Sequence, residues 1–452
     1  MKFEERLQKA HAQYMKLWWE TEIEFPPLGN PYTPQDQLAN EREVDHLVNE
    51  CKKDFHSLPK TGIPDVFPDK KIQAVFNKFQ NSRLKTIVSH HDLAEQLINP
   101  FAKMADDFVT LAYQFDPNLK PSDIRQALRN LWTAGSLQLL LKQTPYSSPA
   151  IFAYSMLYPY TDNYLDDPAI PLPIKKELNQ KFSIRLAGGA FPCVNSYERA
   201  LDQLVGLIEN QFPRLQYPDV YRSLLAIHQA QIASLLSQLQ PTAPYERDIL
   251  GISFQKGGCS VLADGYLVNG DLTEAEASFC FGYGAFLQLV DDLRDAQKDS
   301  QNGQMSIFSQ VARKWPLDRL TNRTIHFSRK ILKLLEPLEI ELNNAPLEEA
   351  TPQSVEMPLP ETAPHSEGAT QVLKELIQNS VTFLILEAIS RNQNLYSTNY
   401  LTQIKEHTPF RLPYFRKLKA KFAKIESQIP GAPFLRFALI SRIMSQSPGS
   451  IP

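Results

Sequence analysis

The run Phe286-Leu287-Gln288-Leu289-Val290-Asp291-Asp292-Leu293-Arg294-Asp295 sets three aspartates after an apolar approach. Asp291 lies about eighteen residues into a helical pattern that a Thr273-x-x-Glu276 capping box opens after the Asn269-Gly270-Asp271 turn. Each helical residue turns the chain by about 100°. Asp291 and Asp295 therefore stack on one face, with Asp292 beside them and Gln288 and Asp299 one turn away on either side. Like charges beside a buried face repel and desolvate badly. A hard divalent cation such as Mg²⁺ relieves both, because it takes carboxylate oxygens and fills its other positions with water or phosphate.

Outward from this run, apolar residues recur at three- and four-residue spacing over Ile124–Leu141, Tyr197–Ile208, Val220–Leu239, Ile249–Leu267 and Thr273–Ala296. Prolines punctuate the gaps, and alternating Val/Ile/Thr runs with hairpin turns are scarce. The pattern predicts an all-α protein. It divides into a helical extension over 1–120, a core over 121–343, a Pro/Glu-rich loop over 344–369 expected to lie outside the core, and C-terminal helices over 370–452.

A second acidic cluster lies upstream, in Tyr158-Pro159-Tyr160-Thr161-Asp162-Asn163-Tyr164-Leu165-Asp166-Asp167-Pro168. Asp162 and Asp166 share a helix face at i,i+4, and Pro168 is expected to end the helix. Two acidic helix ends about 125 residues apart suggest carboxylates facing one another across a cavity mouth. Arg125 and Arg129, also at i,i+4, can converge on one anion.

The 452 residues are 43% hydrophobic with a formal net charge of −3, which excludes a global basic field for nucleic acid. Phosphate binding must then be local. Cys51, Cys193, Cys259 and Cys280 show no metal-finger spacing and read as free thiols of a reducing compartment. With no apolar leader and no membrane-length apolar run, a cytoplasmic location is expected. His90-His91 reads as surface.

The stretch Gly282 to Asp295 resembles the second aspartate-rich helix of trans-prenyl diphosphate synthases and their relatives. Lys256-Gly257-Gly258, with Leu262 and Gly265, is similar to the helix of those enzymes that opens with a phosphate-binding lysine. The first motif departs from the elongating enzymes. Asp162 and Asp166 are more similar to the pattern of squalene and phytoene synthases and of large-terpene synthases. The resemblance covers roughly 122–310.

The resemblance implies a class I isoprenoid synthase bundle around a central apolar cavity and a prenyl diphosphate substrate. It implies a cluster of up to about three Mg²⁺ ions on Asp162, Asp166, Asp291, Asp292 and Asp295. Lys256, Arg125, Arg129, Gln288 and Arg411 are then the candidates for the diphosphate, and Trp132, Phe152, Tyr158, Phe254 and Phe286 for the cavity wall. The aromatic and basic stretch His407 to Lys419 either closes over diphosphate or touches anionic lipid. A terpene cyclase or synthase is expected. A prenyltransferase and a non-catalytic isoprenoid-binding subunit are the alternatives, and a homodimer is left open.

Overall fold

The computed structural model describes residues 2–56, 99–167, 169–237, 246–335 and 367–426. Among them the helices are α1 (Phe3–Trp19), α2 (Pro34–His56), α3 (Asn99–Phe115), α4 (Pro121–Leu140), α5 (Pro149–Asp166), α6 (Leu172–Leu186), α7 (Ser196–Gln211), α8 (Pro218–Ser237), α9 (Ile249–Asn269), α10 (Glu274–Asn302), α11 (Ile307–Ala312), α12 (Asp318–Lys333), α13 (Glu367–Arg391), α14 (Thr398–Glu406) and α15 (Leu412–Glu426). No β-strand occurs among the described residues. The described residues are all-helical, as the periodicity predicts.

The α9–α10 hairpin is the centre. Thr273 and Glu276 form the expected capping box, the Thr273 amide donating to Glu276 Oε2 at 2.8 Å and the Glu276 amide to Thr273 Oγ1 at 3.3 Å. Gly270, at φ 76°, ends α9 in a conformation that costs glycine little. The two helices cross with backbone against backbone. A Cβ at Gly284 would lie 2.1 Å from the Gly257 carbonyl oxygen, and one at Gly257 2.3 Å from the Gly284 oxygen. Gly258 receives the Phe281 ring, and Gly282 lies under the Tyr14 ring of α1. These mid-helix glycines serve close packing.

The other helices gather around this pair. α8, α4 and α5 pack on α9, and α7 packs on α5. α11, α12 and α13 pack on α10, and α15 bridges α13 and α2. α1 lies across both α9 and α10, with Tyr14 and Trp18 fully buried. Trp18 meets Phe254 and Phe327 edge-on, with ring centroids 6.2 and 5.4 Å away. The N-terminal region therefore carries part of the core.

α7 and α9 cover the apolar segments read from sequence, α4 and α10 cover theirs to within one residue, and α8 covers its segment as far as Ser237, the last two residues lying outside the described residues. Val381–Ile389, read as a buried helix segment, lies in α13 with Val381, Phe383, Ile385, Leu386, Ala388 and Ile389 all buried. α13 begins at Glu367, so the last residues assigned to the Pro/Glu-rich loop are helical; the rest of that loop and His90-His91 lie outside the described residues. Cys259 and Cys280 are buried free thiols and Cys193 is half-buried. Among the described residues no helix is long and apolar enough to cross a membrane.

Replacing Gly284 by alanine forces a methyl group into the Gly257 backbone, and overpacking of this kind typically costs about 1–3 kcal/mol. Gly206, in α7, has open space around a built Cβ, so Gly206→Ala should instead gain about 0.5–1 kcal/mol from helix propensity. Urea unfolding of both variants checks the crossing. Equal effects would mean that α9 and α10 do not meet at these glycines.

Candidate functional site

Four side chains come together where α9 and α10 separate from their crossing. Ser253 Oγ of α9 donates to Asp292 Oδ2 at 2.8 Å, and Gln288 Nε2, one turn before Asp292, donates to Oδ1 at 2.8 Å. Lys256 stands close enough to Asp292 and Asp299 for its charge to favour their ionised forms. Burial nonetheless pushes the Asp292 carboxyl up to about 6. Burial also pushes Asp299 up to about 6, with the Asp292 and Asp295 carboxylates adding to the shift. The acidic face turned toward Lys256 thus centres on Asp292 and Asp299.

Asp291 and Asp295 sit at the rim. Asp291 is 52% exposed and accepts from Arg294 at 2.8 Å; Asp295 lies 3.6 Å from the same guanidinium. The stacking of Asp291 with Asp295 expected from their spacing is realised through this shared arginine. Burial works against the charge of Arg294, and the Asp291, Asp295 and Glu387 carboxylates outweigh it to raise the group's pKa.

The first motif closes the C-terminal end of α5. Gln231 of α8 donates to Asp162 Oδ1 at 3.1 Å, and Asn163 donates to Asp123 Oδ1 of α4 at 3.3 Å. The Asp166 side chain lies outside the described residues. α5 and α9 run antiparallel. Asn130 of α4 bridges Ser155 (3.1 Å) and Asp264 (2.9 Å), while the Tyr158 and Ser260 hydroxyls share a hydrogen bond. Asp162 lies one turn beyond Tyr158, and Lys256 one turn before Ser260. Helical rise therefore brings both to the same end of the bundle as Asp292. Arg125 and Arg129 are exposed on α4, next to this end.

Three expectations are placed differently. The Gln288 amide is committed to Asp292. Arg411 is paired with Glu41: its backbone amide and Nε reach Glu41 Oε1 at 2.9 and 3.0 Å, because buried Glu41 of α2 needs a cationic partner. In the stretch His407–Lys419 the side chains of Phe410, Tyr414 and Phe415 are buried. Of the suggested wall residues, Phe254 packs toward α1 and α12, Phe152 against Phe108 and Phe115 of α3, and Phe286 near Tyr283. Trp132 and Tyr158 are half-buried. A cleft of about 270 Å³ opens elsewhere, among Phe25, Asn322 and Tyr400.

Sequence reasoning passed over Ser253, Asp264 and the role of Asp299. Asp299 follows Asp292 by two turns and was legible as part of its face. Asp264, the one acidic residue of α9, stands two turns after Lys256; it is 1% exposed, and its Oδ2 has no hydrogen-bond partner among the described residues. Burial raises its carboxyl well above the usual range, against the hydrogen bond from Asn130.

Among the described residues no three His, Cys, Asp or Glu side chains form a ready-made metal cage. The donors at this end are all oxygens, carboxylate, amide and hydroxyl. That set fits Mg²⁺, which commonly takes one or two protein carboxylates and completes its shell with phosphate and water. No protein-family model matches the chain, and comparisons with curated proteins and with solved structures also gave no match.

The raised Asp292 carboxyl sets a pH signature. An acid whose pKa is higher folded than unfolded holds its proton more tightly when folded, so its contribution is full below about 4 and is lost as pH rises through about 6. Asp292→Asn removes that loss. With metal chelated, the variant should be more stable than wild type by on the order of 1–2 kcal/mol at pH 8, and the gain should vanish near pH 4. Denaturant unfolding at the two pH values measures it, and a pH-independent difference would contradict the burial of Asp292.

Proposed function

We propose that the chain is a Mg²⁺-dependent terpene synthase or cyclase of the class I isoprenoid synthase type, ionising a prenyl diphosphate at the end of the bundle that carries both acidic motifs. One observation supports this above the others. The α9–α10 crossing brings Ser253 into a hydrogen bond with Asp292 and puts the charge of Lys256 within reach of Asp292 and Asp299, at the end of the bundle that carries Asp162. A lysine beside raised carboxylates suits a polyanion that arrives together with its own counter-cations.

In this reading Asp292, Asp295 and Asp299, with Asp291 at the rim and Asp162 and Asp166 on α5, hold the ions. When bound, Mg²⁺ supplies Lewis acidity that neutralises the leaving diphosphate. Lys256 contributes a fixed positive charge to the diphosphate oxygens. Ser253 and Gln288 hold the Asp292 carboxylate in place, so less reorganisation is needed as charge develops. The exposed Arg125 and Arg129 add positive charge near the same end. The aromatic and aliphatic interior of α4, α5 and α9 excludes water from the hydrocarbon part, where a cation would otherwise be quenched. Prenyltransfer through the same ionisation is the alternative.

The test is pyrophosphate release from geranyl, farnesyl, geranylgeranyl and geranylfarnesyl diphosphate, with and without Mg²⁺. Release should require Mg²⁺ and should fall by roughly 100-fold or more in Asp292→Asn and in Lys256→Gln. A product that needs added isopentenyl diphosphate would favour prenyltransfer. Absence of release from all four substrates, or release that survives chelation, would overturn the reading.

A further inference from the structure

Arg294 is placed unlike any other cation near the acidic helix. Its Nη2 lies 2.8 Å from Asp291 Oδ1 and its Nε 3.6 Å from Asp295 Oδ1, so one guanidinium occupies both rim carboxylates. Only about a quarter of the side chain is exposed. Glu387 of α13, itself buried and accepting from Arg391 Nη2 at 2.6 Å, is near enough for its charge to act on the same guanidinium. α13 is fixed to this part of α10, because Asn392 Nδ2 donates to the carbonyl oxygens of Leu293 and Arg294 at 2.9 and 3.1 Å. The arginine thus pairs with two carboxylates on its own helix and feels a third across the α10–α13 interface.

Resting on the class I reading above, we propose that Arg294 is a built-in counter-cation that holds Asp291 and Asp295 until metal arrives with diphosphate, and then passes to Glu387. A rim carboxylate paired with a guanidinium is a poor ligand for a strongly hydrated ion, since Mg²⁺ must displace both water and the arginine. Mg²⁺ alone offers too little to do so. Diphosphate oxygens complete the metal shell and tip the exchange, and Glu387 keeps the released guanidinium from becoming an unpaired, half-buried charge. Arg294 is therefore a positioning residue that sets binding order: diphosphate with metal, not metal first. Productive loading is confined to substrate-bearing ions, and the empty site keeps its charges paired.

The experiment is calorimetric titration of the full chain with Mg²⁺, with and without pyrophosphate. Wild type should bind Mg²⁺ weakly alone and much more tightly with pyrophosphate. Arg294→Gln frees both carboxylates and should tighten binding of Mg²⁺ alone by about tenfold. Arg294→Lys, which keeps a cation at the position, should stay within about twofold of wild type. Should Arg294→Gln not fold, the paired variant Arg294→Gln/Glu387→Gln, which removes one charge of each sign, gives the same reading. Wild-type cooperativity with no gain in the glutamine variant overturns this proposal and leaves the site reading intact. Absence of Mg²⁺ binding to wild type even with pyrophosphate overturns both.

Discussion

The contact between the Gly257 and Gly284 backbones fixes everything else at this end of the molecule. Any side chain at either position would separate α9 from α10. Their close approach puts Ser253 within 2.8 Å of Asp292 and Lys256 beside it, although these residues are over thirty positions apart in the chain. A wider crossing would leave the aspartates as an ordinary acidic helix face, hydrated and unshifted. The small residues therefore determine the chemistry as well as the packing, because they decide how much water reaches the carboxylates.

Burial of those carboxylates has a cost, and the surroundings are arranged to share it. Ser253, Gln288 and Lys256 all favour the ionised form of Asp292, yet desolvation still wins. A site left in that condition favours protonation or a cation. The helices behind it resist collapse: Tyr14 and Trp18 of α1 fill the space over Gly282 and Phe254, and Asn392 ties α13 to α10 at Leu293 and Arg294. The N-terminal residues, which carry no recognisable chemistry of their own, brace the hairpin that presents Lys256 and Asp292.

Much of this architecture could be read from the chain. Helical periodicity and prolines marked α4, α7, α8, α9 and α10, and the Thr273 capping box marked where α10 starts. The facing of individual side chains was less legible. Spacing groups Asp291 with Asp295, but Asp291 is claimed by Arg294 and Asp292 by Ser253, and neither partner can be chosen without knowing which helix lies alongside. The same holds for Arg411: its basic, aromatic surroundings suit an anion, while its partner, Glu41, lies 370 residues away on α2. Asp264 was visible as a lone acid in an apolar run, but the burial that raises its carboxyl follows from the three-helix contact around Asn130 and Ser155.

The central claim is that Lys256 and Asp292, joined by the glycine crossing, form one half of a site for diphosphate with its metal ions. Crystals of the chain grown with Mn²⁺ and pyrophosphate test it most directly, because the anomalous signal of manganese locates each ion. The account predicts manganese on Asp292 together with Asp295 or Asp299, and pyrophosphate bridging those ions to Lys256 Nζ, with Asp162 turned to the same cluster. Pyrophosphate bound elsewhere, or manganese on the exposed face of α10 without Asp292 and Lys256, would contradict it.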